Sequence, residues 1–226
     1  MAEYEKYLKD NPPITLAGNT VRSYQELIIA NWLYKNGISY EYESNYAQNE
    51  NILLGKAYKP DFMIKNDTNI YIEHFGIDRK GNTRADINRI EYQQRMNRIR
   101  ELHVKYNTKL IETYHYNWYE GGKTPSLKKR NLERVLDEKI SKYIVKNPKS
   151  DEELLENLRK SGRVSEFAKI LSQSVSAVRT ENISIKKAEE RLEKSKYSHT
   201  KEFILFLSHL KNKYEKKLTE ESTIDF

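Results

Sequence analysis

Two acidic residues set among apolar neighbours are the features of this 226-residue sequence from which a chemistry can be read. Asp61 lies in Lys59-Pro-Asp-Phe62 at the edge of a short β-forming run, and Glu73 lies inside the next run, Tyr71-Ile-Glu-His-Phe75. On adjacent strands they would offer the two hard oxygen ligands that Mg²⁺ or Mn²⁺ needs from a protein. A cation so held polarises a phosphate, lowers the pKa of a bound water and neutralises charge in the transition state, while substrate oxygens complete its coordination. The chemistry expected is phosphodiester hydrolysis. The plain alternative is a turn Asp and a solvent-facing Glu, but Glu73 is flanked by residues that belong in a core, where a carboxylate needs a partner.

These residues must be positioned by an alternation of helix and strand. Ser23 and Glu26 form a Ser-x-x-Glu capping box, and the mostly apolar run that follows predicts a helix ending at Asn36-Gly37. The capping box also explains Glu26 fully, a role compatible with membership of a metal site. Ile38 to Glu43 alternates as a strand. Tyr58 to Ile64 and Asn69 to Phe75 read as a hairpin turning at Asn66-Asp67. A helix from about Asp86 to Tyr106 places Tyr92, Met96, Ile99, His103 and Tyr106 on one face, and Thr108 to Tyr114 is a further strand. The order is α, β, β, β, α, β. After Glu-Gly-Gly-Lys-Thr-Pro125 the pattern becomes helical, with segments near 126–146, 151–160, 164–180, 184–195 and 199–220 and N-caps at Ser150, Ser165 and Ser184. The expected division is therefore an N-terminal segment 1–19, an α/β domain 20–118 and an all-α domain 119–226.

Composition narrows the partners. Lys+Arg number 40 against 33 Asp+Glu, giving +7, with a pI near 9.2 and a mean hydropathy of −0.89. Residues 1–118 hold 16 basic and 15 acidic side chains, so the surplus lies in the later half. This favours a polyanionic partner, nucleic acid before membrane. The absence of cysteine excludes disulfides, thiolate zinc sites and a Cys nucleophile. No apolar run is long enough for a membrane span, and the start lacks a signal-peptide core, so a cytoplasmic protein is expected. His74, His103 and His115 lack ligand spacing and read as packed or surface histidines. Lys128-Lys-Arg130 reads as a helix surface with a lesser chance of touching DNA, and Asp78-Arg-Lys-Gly81 as a solvated turn or a phosphate contact.

At these residues the chain resembles the PD-(D/E)XK nuclease superfamily. Pro60-Asp61 matches its PD, Glu73 its second acidic residue, and Glu26 the extra helical Glu of many members. More narrowly, VRSYQELIIANWLYKNGISYEYE, YKPDFMIK, IYIEHFGIDRKGN and KLIETYHY look like the nuclease-like region of helicase IV-like, UvrD/Rep-type superfamily 1 helicases, and the helical stretch ending in STIDF looks like their neighbouring 1B-type region. The resemblance implies a restriction-endonuclease-like mixed sheet flanked by helices, followed by an all-α helical domain. It also implies Mg²⁺ or Mn²⁺ on Asp61 and Glu73, DNA as substrate, a role in DNA repair, and helicase motor domains as partners.

Two departures accompany the resemblance. Phe75 stands where the family has a Lys. Alternate strand residues share a face, so Phe75 occupies the place of the water-activating cation and His74 points away. Arg100 or Arg79 could supply that charge, and Arg100 joins Glu26, Asp61 and Glu73 as a candidate catalytic residue. The other departure is at Gly122-Lys123-Thr124, an incomplete Walker A echo with Asn117 at the first glycine and Pro125 behind it, so no ATPase activity is expected. The alternative function is an inactive nuclease fold that binds DNA or docks on a helicase.

Overall fold

The computed structural model describes residues 10–46, 51–53, 56–65, 70–120, 129–180 and 200–220. In chain order the elements begin with α1 (Tyr24–Lys35), β1 (Tyr40–Tyr42), β2 (Asn51–Leu53), β3 (Lys56–Ala57), β4 (Phe62–Ile64) and β5 (Ile70–Phe75). They continue with α2 (Arg89–Lys105), β6 (Lys109–Tyr114), a 3-10 turn at His115–Asn117, β7 (Tyr119–Glu120) and β8 (Lys129–Arg130). The helices α3 (Leu132–Ile140), α4 (Asp151–Lys160), α5 (Arg163–Thr180) and α6 (Thr200–Glu220) close the series. This is a mixed β-sheet flanked by helices and followed by an all-helical region.

The sheet has the order β1-β4-β5-β6. β1 with β4, and β4 with β5, are antiparallel, Phe62 facing Ile72. β6 lies parallel to β5, from Ile70 opposite Lys109 to Phe75 opposite Tyr114. A parallel neighbour requires a crossover, and α2 supplies it. The period of two then sorts the side chains. Phe62, Ile64, Ile70, Ile72 and Ile111 pack against Ile29 and Leu33 of α1, whereas Tyr71 and Phe75 pack against Met96, Ile99 and Leu102 of α2. Helix α1 starts where the capping box places it, with Ser23 Oγ accepting the Glu26 N–H at 3.1 Å. It stops at Gly37, whose φ of 68° suits glycine, and a Cβ there would collide with the Asn147 carbonyl.

The first compact unit runs past residue 118 to Asn157, apart from residues 124–126. The reason is α3. Leu132, Leu136 and Ile140 are buried in the same cluster as Ile29, Leu33 and Ile72, so this helix completes the α1 side of the sheet. The helix expected over 126–146 is the shorter α3, and the segment assigned to helices alone also contains the β7–β8 pair. Ser150 caps α4 in a full capping box, accepting from the Glu153 N–H while the Glu153 carboxylate accepts from its own. Ser165 is no cap, because α5 already begins at Arg163, after Gly162 at φ 76°.

In the second unit α5 and α6 meet through stacked Phe167 and Phe206 rings 5.9 Å apart, with Leu171 and Leu207 buried. Gly122-Lys123-Thr124, Lys128, the helix expected over 184–195 with Ser184, and STIDF lie outside the described residues. Among the described residues no helix is long and apolar enough to cross a membrane. Leu136→Ala is expected to lower the unfolding free energy by about 2–5 kcal/mol in urea denaturation, as for any fully buried leucine, although it lies beyond the α/β pattern.

Candidate active site

The antiparallel pairing of β4 with β5 sets Asp61, one residue before β4, beside Glu73 of β5. Asp61 is 7% exposed and Glu73 1%. Asp61 Oδ2 accepts the His74 backbone N–H at 2.7 Å, while Oδ1 lies 3.6 Å from Arg22 Nη2. Glu73 Oε1 accepts the Tyr58 hydroxyl at 2.7 Å. Glu26 stands on α1 close enough for its charge to act on Asp61, and its Oε2 accepts the Arg22 N–H at 2.9 Å and the Tyr42 hydroxyl at 2.8 Å. The capping Glu thus reaches back one residue beyond its N-cap, to the arginine that faces Asp61.

Burial is the largest influence on both acids. It pushes Glu73 up to about 7, opposed chiefly by the Arg95 charge and then by the Tyr58 hydrogen bond. It raises Asp61 well above the usual aspartate range, reinforced by the charges of Glu73 and Glu26. Two buried carboxylates that repel each other are a poor arrangement in a metal-free protein and a good one around a divalent cation. Among the described residues no group of three or more His, Cys, Asp or Glu side chains could hold a metal ion. Asp61 and Glu73 stand beside each other in the β4–β5 pairing as two hard-oxygen donors, the ligand type that Mg²⁺ and Mn²⁺ prefer.

Arg100 is engaged elsewhere. Its Nε and Nη2 hold Glu112 of β6 at 2.6 and 2.9 Å, and Nη1 donates to Asn97 at 3.1 Å. Five residues at about 100° per residue put Arg95 roughly 140° around the helix from Arg100. Arg95 shares the sheet-facing side of α2 with Tyr92 and Ile99, and its charge, followed by that of Arg22, opposes the rise of Glu73. Arg79 lies over the Tyr116 ring at 5.1 Å. Phe75 lies fully buried on the Glu73 side of the sheet, as the strand alternation requires.

Two hydrogen-bond networks hold the acids from opposite faces of the sheet. On the α2 side Tyr58 lies 3.1 Å from His103 Nε2, His103 Nδ1 lies 2.7 Å from Thr108 Oγ1, and Thr108 lies 2.7 Å from the Tyr46 hydroxyl. Ionised Glu73 can only accept, which sets every proton in one direction: Tyr46 donates to Thr108, Thr108 to His103, His103 to Tyr58, and Tyr58 to Glu73. Burial lowers His103 to about 4, so it is neutral, with one donor and one acceptor nitrogen. Burial and then the Glu73 charge push the Tyr58 hydroxyl up, and it keeps its proton. On the α1 side His74 Nε2 and His115 Nδ1 meet Gln25 Oε1 at 2.9 and 3.1 Å, and His74 Nδ1 meets Thr113 at 2.9 Å. His74 and His103 are thus packed side chains that orient the site.

No protein-family model, curated protein or solved structure matches the chain.

The acidic pair gives stability a sign with pH. Between the ordinary glutamate pKa of about 4.3 and the folded value of about 7, the folded protein holds protons that the unfolded chain has released. Metal-free stability should therefore decline as pH rises through that window. Glu73→Gln keeps the Tyr58 contact and removes the charge. In thermal melts of metal-free protein it should raise the midpoint by several degrees at pH 8 relative to wild type, and change it little at pH 5. An equal loss at both values would contradict the assignment.

Proposed function

We propose that the chain is a metal-dependent DNA nuclease of the PD-(D/E)XK kind, with a restriction-endonuclease-like sheet, serving a helicase IV-like DNA-processing system. The observation that carries this reading is the buried Asp61–Glu73 pair, two hard-oxygen donors held by His74 and Tyr58 and faced by two guanidinium groups. Mg²⁺ or Mn²⁺ held by Asp61 and Glu73 would supply Lewis-acid polarisation of a phosphate and a water of lowered pKa. The chain's own groups do the rest. The His74 N–H fixes one Asp61 oxygen and leaves the other toward the site. Tyr58 fixes one Glu73 oxygen and keeps that carboxylate oriented. Glu26 holds the Arg22 backbone, and the Arg22 and Arg95 charges neutralise phosphate oxygens. In this reading Arg95, reaching in from α2, takes the part of the cation that Phe75 displaces from the strand.

A second reading, an inactive fold that binds DNA or docks on helicase motor domains, is favoured by Phe75 itself, since a buried aromatic ring cannot activate water. Cleavage assays separate the two. The nuclease reading expects a labelled DNA to be cut in Mn²⁺ or Mg²⁺, cutting to stop with EDTA, and Asp61→Asn or Glu73→Gln to abolish it in folded protein. Arg95→Ala should slow it on the order of 100-fold, as loss of a transition-state charge contact does. Tyr58→Phe should slow it roughly 10- to 100-fold, as for loss of a hydrogen bond that orients a metal ligand. No cutting in either metal supports the inactive module, and cutting that survives both carboxylate substitutions places the site elsewhere.

A further inference from the structure

Beyond the end of β5 the loop Ile77–Gly81, helix α2 and the end of β6 enclose a cavity of about 370 Å³. Its walls include Arg79, Gln93, Asn97, Arg100, Tyr114 and Tyr116, all in the first compact unit. It opens on the α2 face of the sheet, the face that also carries Glu73. Phe75 is the next residue after Glu73 on that face, about 6.5 Å along the strand. Its ring lies 5.9 Å from Tyr114 and 5.8 Å from the Arg100 guanidinium. The aromatic ring at the position of the expected cation therefore lies against two residues of the cavity wall.

The cavity's chemistry is specific. Tyr114 and Tyr116 stack at 4.8 Å with only 7° between their planes, and the Arg79 guanidinium lies over the Tyr116 ring. Gln93 Nε2 is tied to the Gly81 carbonyl at 3.1 Å, which leaves its oxygen as an acceptor. Arg100 is held rigidly by Glu112. Asp78, the acidic residue of the wall, is occupied by the Lys80 and Asn82 backbone N–H groups and the Asn82 amide. A flat stacking column ending in a guanidinium, with amides at its edge, suits a heteroaromatic base attached to a phosphate. The volume is at the small end for ligand sites, about 300–1,000 Å³, and has room for one nucleotide but not for a base pair.

We propose that this cavity is a nucleotide subsite that takes one unpaired base of a single-stranded nucleic acid. The base stacks on the Arg79–Tyr116–Tyr114 column and presents its edge to Gln93 and Asn97, while its phosphate lies toward the acidic pair. A base inside a duplex must leave its partner and its stack to enter, so single strands bind in preference to duplex. The orientation toward the acidic pair rests on the nuclease reading; the preference for single strands is independent of cutting.

The test is equilibrium binding in EDTA, by fluorescence anisotropy, of a fluorescein-labelled oligo-dT and of a blunt duplex of the same length. Wild type is expected to bind the single strand at least tenfold more tightly. Arg79→Ala, on an exposed loop, and Tyr116→Leu should each weaken single-strand binding roughly 5- to 100-fold and leave duplex binding within about twofold. Equal affinity for the two DNAs, or single-strand affinity unchanged in both variants, overturns the proposal whether or not the protein cuts. Binding that depends on Arg79 and Tyr116 in a protein that cuts nothing supports the cavity and removes the nuclease reading. Cutting abolished by Asp61→Asn, with binding indifferent to Arg79 and Tyr116, does the reverse.

Discussion

The burial of two mutually repelling carboxylates, Asp61 and Glu73, is the constraint around which the first unit is organised. Neither acid has enough water around it to be comfortable as an anion, and each raises the other's cost. The structure meets that cost with directed partners: a backbone N–H and the Arg22 guanidinium on Asp61, and a tyrosine hydroxyl on Glu73. A protein built only for stability would place apolar residues at these positions, since buried charge is seldom a net stabiliser. The layout makes sense if the missing stabilisation comes from a bound cation, the site being held ready at the expense of metal-free stability.

The supporting layers follow from this. β5 is the central hinge of the arrangement, with Glu73 turned to α2 and His74 turned to α1. The chain from Tyr46 through Thr108 and His103 to Tyr58 carries a single hydrogen-bond direction into Glu73, and Gln25 fixes His74 from behind so that its backbone N–H meets Asp61. Burial lowers His74 and His103, so both imidazoles stay neutral over the pH range in which the acids titrate. Packing of α3 against α1 and β6 completes the layer behind His74, so residues well beyond the alternating segment contribute to the rigidity of the site.

Much of this was legible in the sequence, and the gaps have physical causes. Capping and periodicity located α1, α2 and the four sheet strands, and strand alternation put Phe75 on the Glu73 face. The amphipathic pattern of Leu132, Val135, Leu136 and Ile140 announced a helix but could not say which core its apolar stripe enters. Arg95, three residues after Tyr92 and four before Ile99, falls by helical phase on the inward side of α2, whereas Arg100 is turned toward Glu112 of β6. Tyr58 and His103 lie 45 residues apart and meet only through the tertiary fold, so no local signal joins them. Glu43, which pairs with Arg22 from a left-handed backbone conformation at φ 47°, was visible only as part of an alternating strand.

The most direct measurement is calorimetric titration of the metal-free protein with Mn²⁺ near pH 6.5, in buffers of different ionisation enthalpy. If Asp61 and Glu73 form the cation site, one Mn²⁺ binds and displaces protons held by the raised carboxyls, so the apparent enthalpy varies with the buffer and both signals vanish in Asp61→Asn. No Mn²⁺ binding, or binding that persists unchanged in Asp61→Asn, would contradict the account.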